Sequence, residues 1–366
     1  MATVLFYNTI LIYSTLFVYL SERMRYSLDR NIMLFIAFLV ILVPAAIRYN
    51  IGTDFMSYVN IYENLDDFTW MEQGFYFVNW TFRSLGAHVQ WVITAFAFIF
   101  TAVAFKAYPS RNVWLVHLVF MAMLWFSSFN IMRQTIALAF CMLAVFCYLD
   151  RRVLLFFAYT AIGALFHKSA FFVMACGVLA LIPVRTSLKY TIAPLAFTAI
   201  LAVALLQMDL ILGMIEHLLR TAGLTKYANY FGGRHFIARD FGSGLGVLAK
   251  VAFSVYVLLS AKSFLRFNKY NWLLLILVFV YAMGVILANQ IIIFGRMADT
   301  FVVAPVVAAY VLYQLPNNRQ LNKLVLVSFL AFLLLSFTKD GFGTVTSYSD
   351  PHRNPYQTIF SSDVNE

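Results

Sequence analysis

The sequence predicts an all-α polytopic membrane protein with about twelve transmembrane helices, forming a single integral membrane domain over 1–366. Three observations predict it. Charged residues make up only 11% of the chain and hydrophobic ones 63%, whereas a soluble domain is about a quarter charged, so this chain cannot cover itself in water. Mean hydropathy is +0.81. Apolar runs of about 16–20 residues recur along the whole length, which is what a hydrocarbon core of roughly 30 Å requires.

In order, the runs are 3–20, 31–47, 89–106, 112–129, 134–149, 153–167, 169–184, 189–207, 244–261, 271–288, 290–313 and 322–338. The first reads as a retained span: it has no basic n-region or small-residue cleavage site, and "SERMRYSLDR" follows directly. The sixth and seventh are short and separated only by "FHKS". Cys141, Cys147 and Cys176 all fall inside spans without metal-ligand spacing. They read as packing residues, so neither a disulfide framework nor a zinc site is expected, and no metal or cofactor is expected.

Charge orients the spans. If alternate connections, starting with the first, are assigned to the cytoplasm, they hold fourteen of the twenty-six basic residues but only Glu22, Asp29 and Asp150 of the acids. The positive-inside rule then places both termini outside. A basic balance of this kind reflects orientation and contact with membrane lipid; no nucleic-acid partner is expected. The two long outer connections are 48–88 and 208–243, with an outer-side tail at 339–366.

The polar residues set in apolar context fall nearly all on the outer side. Arg48, Asp54 and Glu72 lie in or beside the first large outer loop. Arg133 opens the fifth span, His167 and Lys168 join the sixth to the seventh, and Arg296 lies near the outer end of the eleventh. An ionisable group at membrane depth costs roughly 2.5–3.5 kcal/mol on insertion scales and usually lines a cavity or pathway. One such residue reads equally well as a snorkelling side chain; several at one level point to an aqueous or headgroup cavity.

Arginines there suit phosphate or diphosphate, whose oxygens match the guanidinium fork. A histidine exchanges protons near neutral pH, so His167 is a candidate base, with Asp54 and Glu72 as alternative bases or acceptors of sugar hydroxyls. The bland reading of Asp54 is an Asx-type turn in "NIGTD". In the 208–243 loop, Tyr227, Tyr230, Arg234 and Arg239 suit glycan binding, though the aromatics equally suit an interfacial belt. Gly232–Gly233 and "GSGLG" lack a phosphate-loop context.

Taken in order, "IRYNIGTDFMSY", "MEQGF", "NIMRQTIALAF", "ALFHKSAFF" and "FGRMADTF" resemble the EpsG family across roughly 48–300. These are Wzy-like polymerases of bacterial exopolysaccharide, capsule and O-antigen. The resemblance implies a GT-C-like glycosyltransferase architecture. It also implies transfer of a growing glycan from undecaprenyl diphosphate to a new lipid-linked repeat unit, at the outer face of the bacterial cytoplasmic membrane. By match to the motifs, the candidate residues are Arg48, Asp54, Glu72, Arg133, Gln134, His167 and Arg296. Implied partners are undecaprenyl-diphosphate-linked glycans, with a chain-length regulator and a flippase of the same pathway.

A glycan ligase would use the same donor and differ in its acceptor. A flippase of lipid-linked oligosaccharide would place polar groups near the midplane, where this sequence offers only Lys250, with Asn289 and Gln290 nearer an outer end. A non-catalytic scaffold gives no reason to hold Arg133 and Arg296 at one level.

Overall fold

A computed structural model describes residues 1–223, 225–229, 244–288, 292–343 and 353–361. Among them the chain is helical throughout, and its β-pairing is a single antiparallel bridge, Arg48 to Thr358. Contacts divide the chain into two compact units: residues 1–174 with 330–366, and residues 175–329.

The first unit opens with α1 (Ala2–Ser21) and α2 (Ser27–Ile47), which pack on each other. The outer loop that follows is itself structured, with α3 (Phe55–Glu63), a 3-10 turn (Leu65–Phe68) and α4 (Gln73–Ser84). Next come α5 (Val89–Ala107), α6 (Val113–Phe120), a π-helical stretch (Met121–Trp125) and α7 (Ser127–Asn130). Then α8 (Met132–Leu149) leads to α9 (Val153–Ala164) and α10 (Ala170–Leu181). Helix α8 is the core, nearly all buried between α5 and α9, as its all-round apolar surface requires. A β-carbon at Gly163 of α9 would stand 3.1 Å from the Ala137 carbonyl oxygen of α8; small residues permit such close helix contacts in lipid.

In the second unit, α11 (Ala193–Leu206) follows a π-helical turn, and α12 (Met208–Thr221) and α13 (Thr225–Ala228) follow it. Next are α14 (Leu245–Leu259), α15 (Ala261–Phe267), α16 (Asn271–Leu287), α17 (Ile292–Thr300), α18 (Val303–Gln314) and α19 (Arg319–Asp340). The unit boundaries fall within α10 and α19. Helix α16 is central here, buried on nearly every side and packed on α11, α14, α17 and α18. Gly284 lets α17 approach it, since a β-carbon there would meet the Ala298 backbone at 2.9 Å.

Among the described residues every predicted span is helical, but the lengths differ. Six helices are long and apolar enough to cross a membrane alone, and two bent pairs raise the number to eight. The other four runs form shorter apolar segments: Val113–Trp125, Val153–Ala164, Ala170–Leu181 and Asn271–Leu287. At 1.5 Å per residue, the twelve-residue α9 and α10 are each about 18 Å long, short of the roughly 30 Å core. The predicted loop at 208–243 contains α12, an amphipathic helix with an i,i+4 ion pair between Arg220 and Glu216 at 2.8 Å. Its aliphatic residues recur at helical spacing, a pattern obscured in a search for uninterrupted apolar runs.

Contacts sort the connections of the first unit into two sets. Val113 N–H donates to Glu22 Oε1 at 2.9 Å, joining the first and third connections. On the other side, Thr53 N–H donates to Asn130 Oδ1 at 3.2 Å and Gly74 N–H to Leu165 O at 2.8 Å, joining the second, fourth and sixth. Each set gathers alternate connections, as a run of antiparallel helices requires.

Candidate active site

Arg133 stands in the first turn of α8, just after the chain breaks helical geometry at Ile131 (φ −101°, ψ 54°). One of its terminal nitrogens donates to Glu72 Oε2 at 2.6 Å. The guanidinium carbon lies 5.2 Å from the centre of the Phe75 ring, a cation–π distance. The Tyr58 hydroxyl, on α3, meets both the side chain and the backbone of Arg133. Burial pushes the Tyr58 phenol pKa up, Arg133 opposes that shift and Asp54 adds to it, so the hydroxyl is neutral around pH 7. The side chain of Glu72 is 10% exposed and that of Arg133 24%, so water screens the pair much less than it would a surface bridge.

Glu72 precedes the first turn of α4 and does not cap it with its side chain. Its second oxygen, Oε1, instead lies 3.5 Å from the Lys168 backbone nitrogen. Two residues on, a β-carbon at Gly74 would stand 2.9 Å from Leu165 O, so glycine is what brings α4 against the turn after α9. The Glu72–Arg133 pair and the His167–Lys168 turn are thus one assembly within the first unit.

His167 is half-buried and Lys168 exposed. Ser169 N–H donates to His167 Nδ1 at 3.3 Å, and Ser169 Oγ lies 2.8 Å from the same nitrogen. A backbone N–H can only donate, so Nδ1 accepts and the proton of the neutral ring sits on Nε2. This is a capping arrangement at the start of α10, and His88 repeats it at α5, where Nδ1 accepts from Gln90 N–H at 3.2 Å.

Asp54 is half-buried and immediately precedes α3. The Asx-type turn does not form: its side chain accepts no capping N–H, and its neighbour is Thr53 Oγ1 at 3.4 Å. Gly52, at φ +99°, presses the loop against α7, where a β-carbon would stand 2.6 Å from Phe129 O. Asp54 therefore reaches the Tyr58–Arg133 group from a glycine-dependent loop.

Arg48 is placed differently from the expectation of a residue facing an open cavity. It is 1% exposed and donates to Ala45 O and, at 3.2 Å, to Met132 Sδ. Its guanidinium carbon lies 4.7 Å from the Phe129 ring centre. Burial pulls its pKa down to about 10, leaving it charged near neutrality. The closed space beside it is about 10 Å³, room for about one water and too little for a phosphate. The tail covers this region: Tyr49 N–H donates to Gln357 O and Ile359 N–H to Ile47 O, each at 3.0 Å.

Gln134 is buried in α8. Arg296 belongs to the second unit, exposed on α17, with Asp299 as a charged neighbour. Tyr230, Arg234 and Arg239 lie outside the described residues, and of Tyr227 only the backbone, in α13, is described. Among the described residues, no group of three or more His, Cys, Asp or Glu could hold a metal ion. The sequence reading missed Tyr58 and Asn130, and it gave Ser169, the last residue of "FHKS", no role. The i,i+4 spacing of Asp54 and Tyr58 would have indicated Tyr58 had α3 been anticipated; Ser169 and Asn130 act through local geometry that leaves no spacing signal.

Neither the curated proteins nor the solved structures include a match to this chain. The family model of the EpsG family matches residues 31–349 of the 366, a stretch that includes Glu72, Arg133 and the His167 turn, and the chain belongs to that family.

Proposed function

We propose that this protein is a glycan polymerase that transfers a growing chain from undecaprenyl diphosphate to a new lipid-linked repeat unit. We place the reaction at the outer face of the bacterial cytoplasmic membrane. Membership of the EpsG family supports a polymerase-type role in polysaccharide biosynthesis, and the apolar helices support a multi-pass membrane protein. The observation that carries the reading is the Glu72–Arg133 pair, assembled from two distant segments on the His167–Lys168 turn.

In the proposed step, an acceptor hydroxyl attacks the anomeric carbon of the donor sugar. A new glycosidic C–O bond forms as the bond to diphosphate breaks, and undecaprenyl diphosphate leaves with the bonding pair. Arg133 and Lys168 supply positive charge to that leaving group, where fixed cations are worth most. The hydroxyl proton passes to a carboxylate. Both oxygens of Glu72 are engaged, by Arg133 and by Lys168 N–H, which favours Asp54 as the base. His167 offers no acceptor nitrogen in its neutral form, because Nδ1 is taken by Ser169. Its part is to hold the turn that carries Lys168. In the second unit, Arg296 is read as a further cation for a phosphate group.

The test is an assay of purified protein with lipid-diphosphate-linked repeat units, resolved by product length, with and without EDTA. A ladder of longer glycans, undiminished by EDTA, is expected. Transfer to a lipid core in place of a ladder would mean a ligase. Movement of intact substrate across liposomes without transfer would mean a transporter.

A further inference from the structure

Beside Glu72, on the face of α4 turned away from the core, lies a cleft of about 370 Å³ lined by Thr69, Met71, Gln73, Tyr76, Phe77 and Trp80. Gln73, Tyr76, Phe77 and Trp80 fall at i, i+3, i+4 and i+7, one stripe of the helix. The opposite stripe, Phe75 and Asn79, is buried, with Phe75 stacked on Phe96 of α5 at 5.0 Å. Core packing therefore accounts for one face of α4 and leaves the aromatic stripe unexplained. Phe77 is 62% and Trp80 52% exposed, and their rings stack at 6.3 Å. The side chains of Thr69 and Gln73 make no hydrogen bond to any described residue.

We propose that this cleft is a glycan subsite that binds sugar rings of a lipid-linked repeat unit; the proposal rests on the polymerase reading. Two observations favour a sugar over a bare lipid chain. The lining sets the flat faces of Tyr76, Phe77 and Trp80 beside the hydroxyl of Thr69 and the carboxamide of Gln73, and a pyranose offers an apolar C–H face edged by hydroxyls. An acyl chain would leave Gln73 and Thr69 unpaired. The cleft also lies at the N-terminal end of α4 next to the candidate active site, since its lining residues Met71 and Gln73 flank Glu72 in the chain. The volume falls within the usual range for ligand sites, about 300–1,000 Å³.

The experiment uses full-length protein in lipid nanodiscs. The probe is the oligosaccharide repeat unit freed from its lipid diphosphate by mild acid. Trp80→Ala and Gln73→Ala are each expected to weaken its binding about tenfold or more, the cost of truncating an anchor residue. Trp80→Phe should restore most of it. Binding of sugar-free undecaprenyl diphosphate should be unchanged in all three, which shows that the variants are folded.

Equal oligosaccharide affinity in the parent and Trp80→Ala proteins, or no binding by the parent even at millimolar probe, overturns the subsite. The two readings fail separately. A protein that forms no polymer yet binds the oligosaccharide in a Trp80-dependent way keeps the subsite and loses the polymerase. One that polymerises with unchanged affinity in Trp80→Ala keeps the polymerase and loses the subsite.

Discussion

At the residue scale, Arg133 ties together two parts of the outer loop, touching Glu72 and Phe75 at the start of α4 and Tyr58 on α3. Arg133→Ala is expected to lower polymer formation by about a hundredfold or more, the usual loss when a charge-stabilising donor is removed. It would also leave Glu72 without its counter-charge, at a cost of about 1–3 kcal/mol. Arg133→Lys keeps the charge but loses the fork and the flat stacking surface, so activity should fall while thermal stability stays closer to the parent. Initial rates and melting temperature, measured on the same preparations, separate the two effects. His167 gives a sharper test. Asparagine can accept the Ser169 N–H through its side-chain oxygen, as imidazole Nδ1 does here, whereas alanine cannot. His167→Asn should therefore retain most activity and His167→Ala should lose it; equal loss in both would return the base role to His167.

At the element scale, the spans were legible and the pieces between them were not, for a physical reason. Lipid cannot satisfy an exposed backbone, so each crossing must be a continuous apolar run that composition alone reveals. Helices α3 and α4 are only nine and twelve residues long and carry aromatics on more than one face, so no clean period shows. Arg48 misled for a related reason. A charge beside a span usually lines a cavity, but sequence cannot show that Phe129, Met132 and the tail close over this one.

Arg133, Glu72 and the His167–Lys168 turn were legible as polar residues in apolar context, whereas the glycines that join them were not. Gly74→Ala must move the Leu165 carbonyl and is expected to cost about 1–3 kcal/mol as an overpacked contact, with activity falling because Glu72 and Lys168 are pushed apart. Thermal unfolding in detergent, alongside the polymer assay, measures both. On the opposite side, Glu22→Ala removes the oxygens that accept Val113 and Trp114 N–H. That should cost about 1 kcal/mol, as for a lost helix cap, and leave the polymer length distribution unchanged.

At the scale of the whole molecule, orientation is the prediction to check. Single cysteines introduced at Asp66 or Ser361, in a background with Cys141, Cys147 and Cys176 replaced, should react with a membrane-impermeant thiol reagent applied from outside intact cells. A cysteine at Arg111 should not. Labelling at Arg111 alone would invert the topology and put the Arg133 assembly on the cytoplasmic side.

The first unit draws on both residues 1–174 and residues 330–366, and it is fastened across that gap. Tyr7 donates its hydroxyl proton to Arg353 O at 2.8 Å, Tyr356 N–H donates to Thr3 Oγ1 at 3.2 Å, and Phe337 stacks on Phe126 at 4.5 Å. A ribosome supplies these parts in order, at about 5–20 residues per second. The half that carries Arg133 and Glu72 therefore stays unfinished while all of the second unit is made and inserted. Its early helices must wait in the bilayer with Arg48 uncovered, and the first unit is complete only when the last helix and the tail close over them.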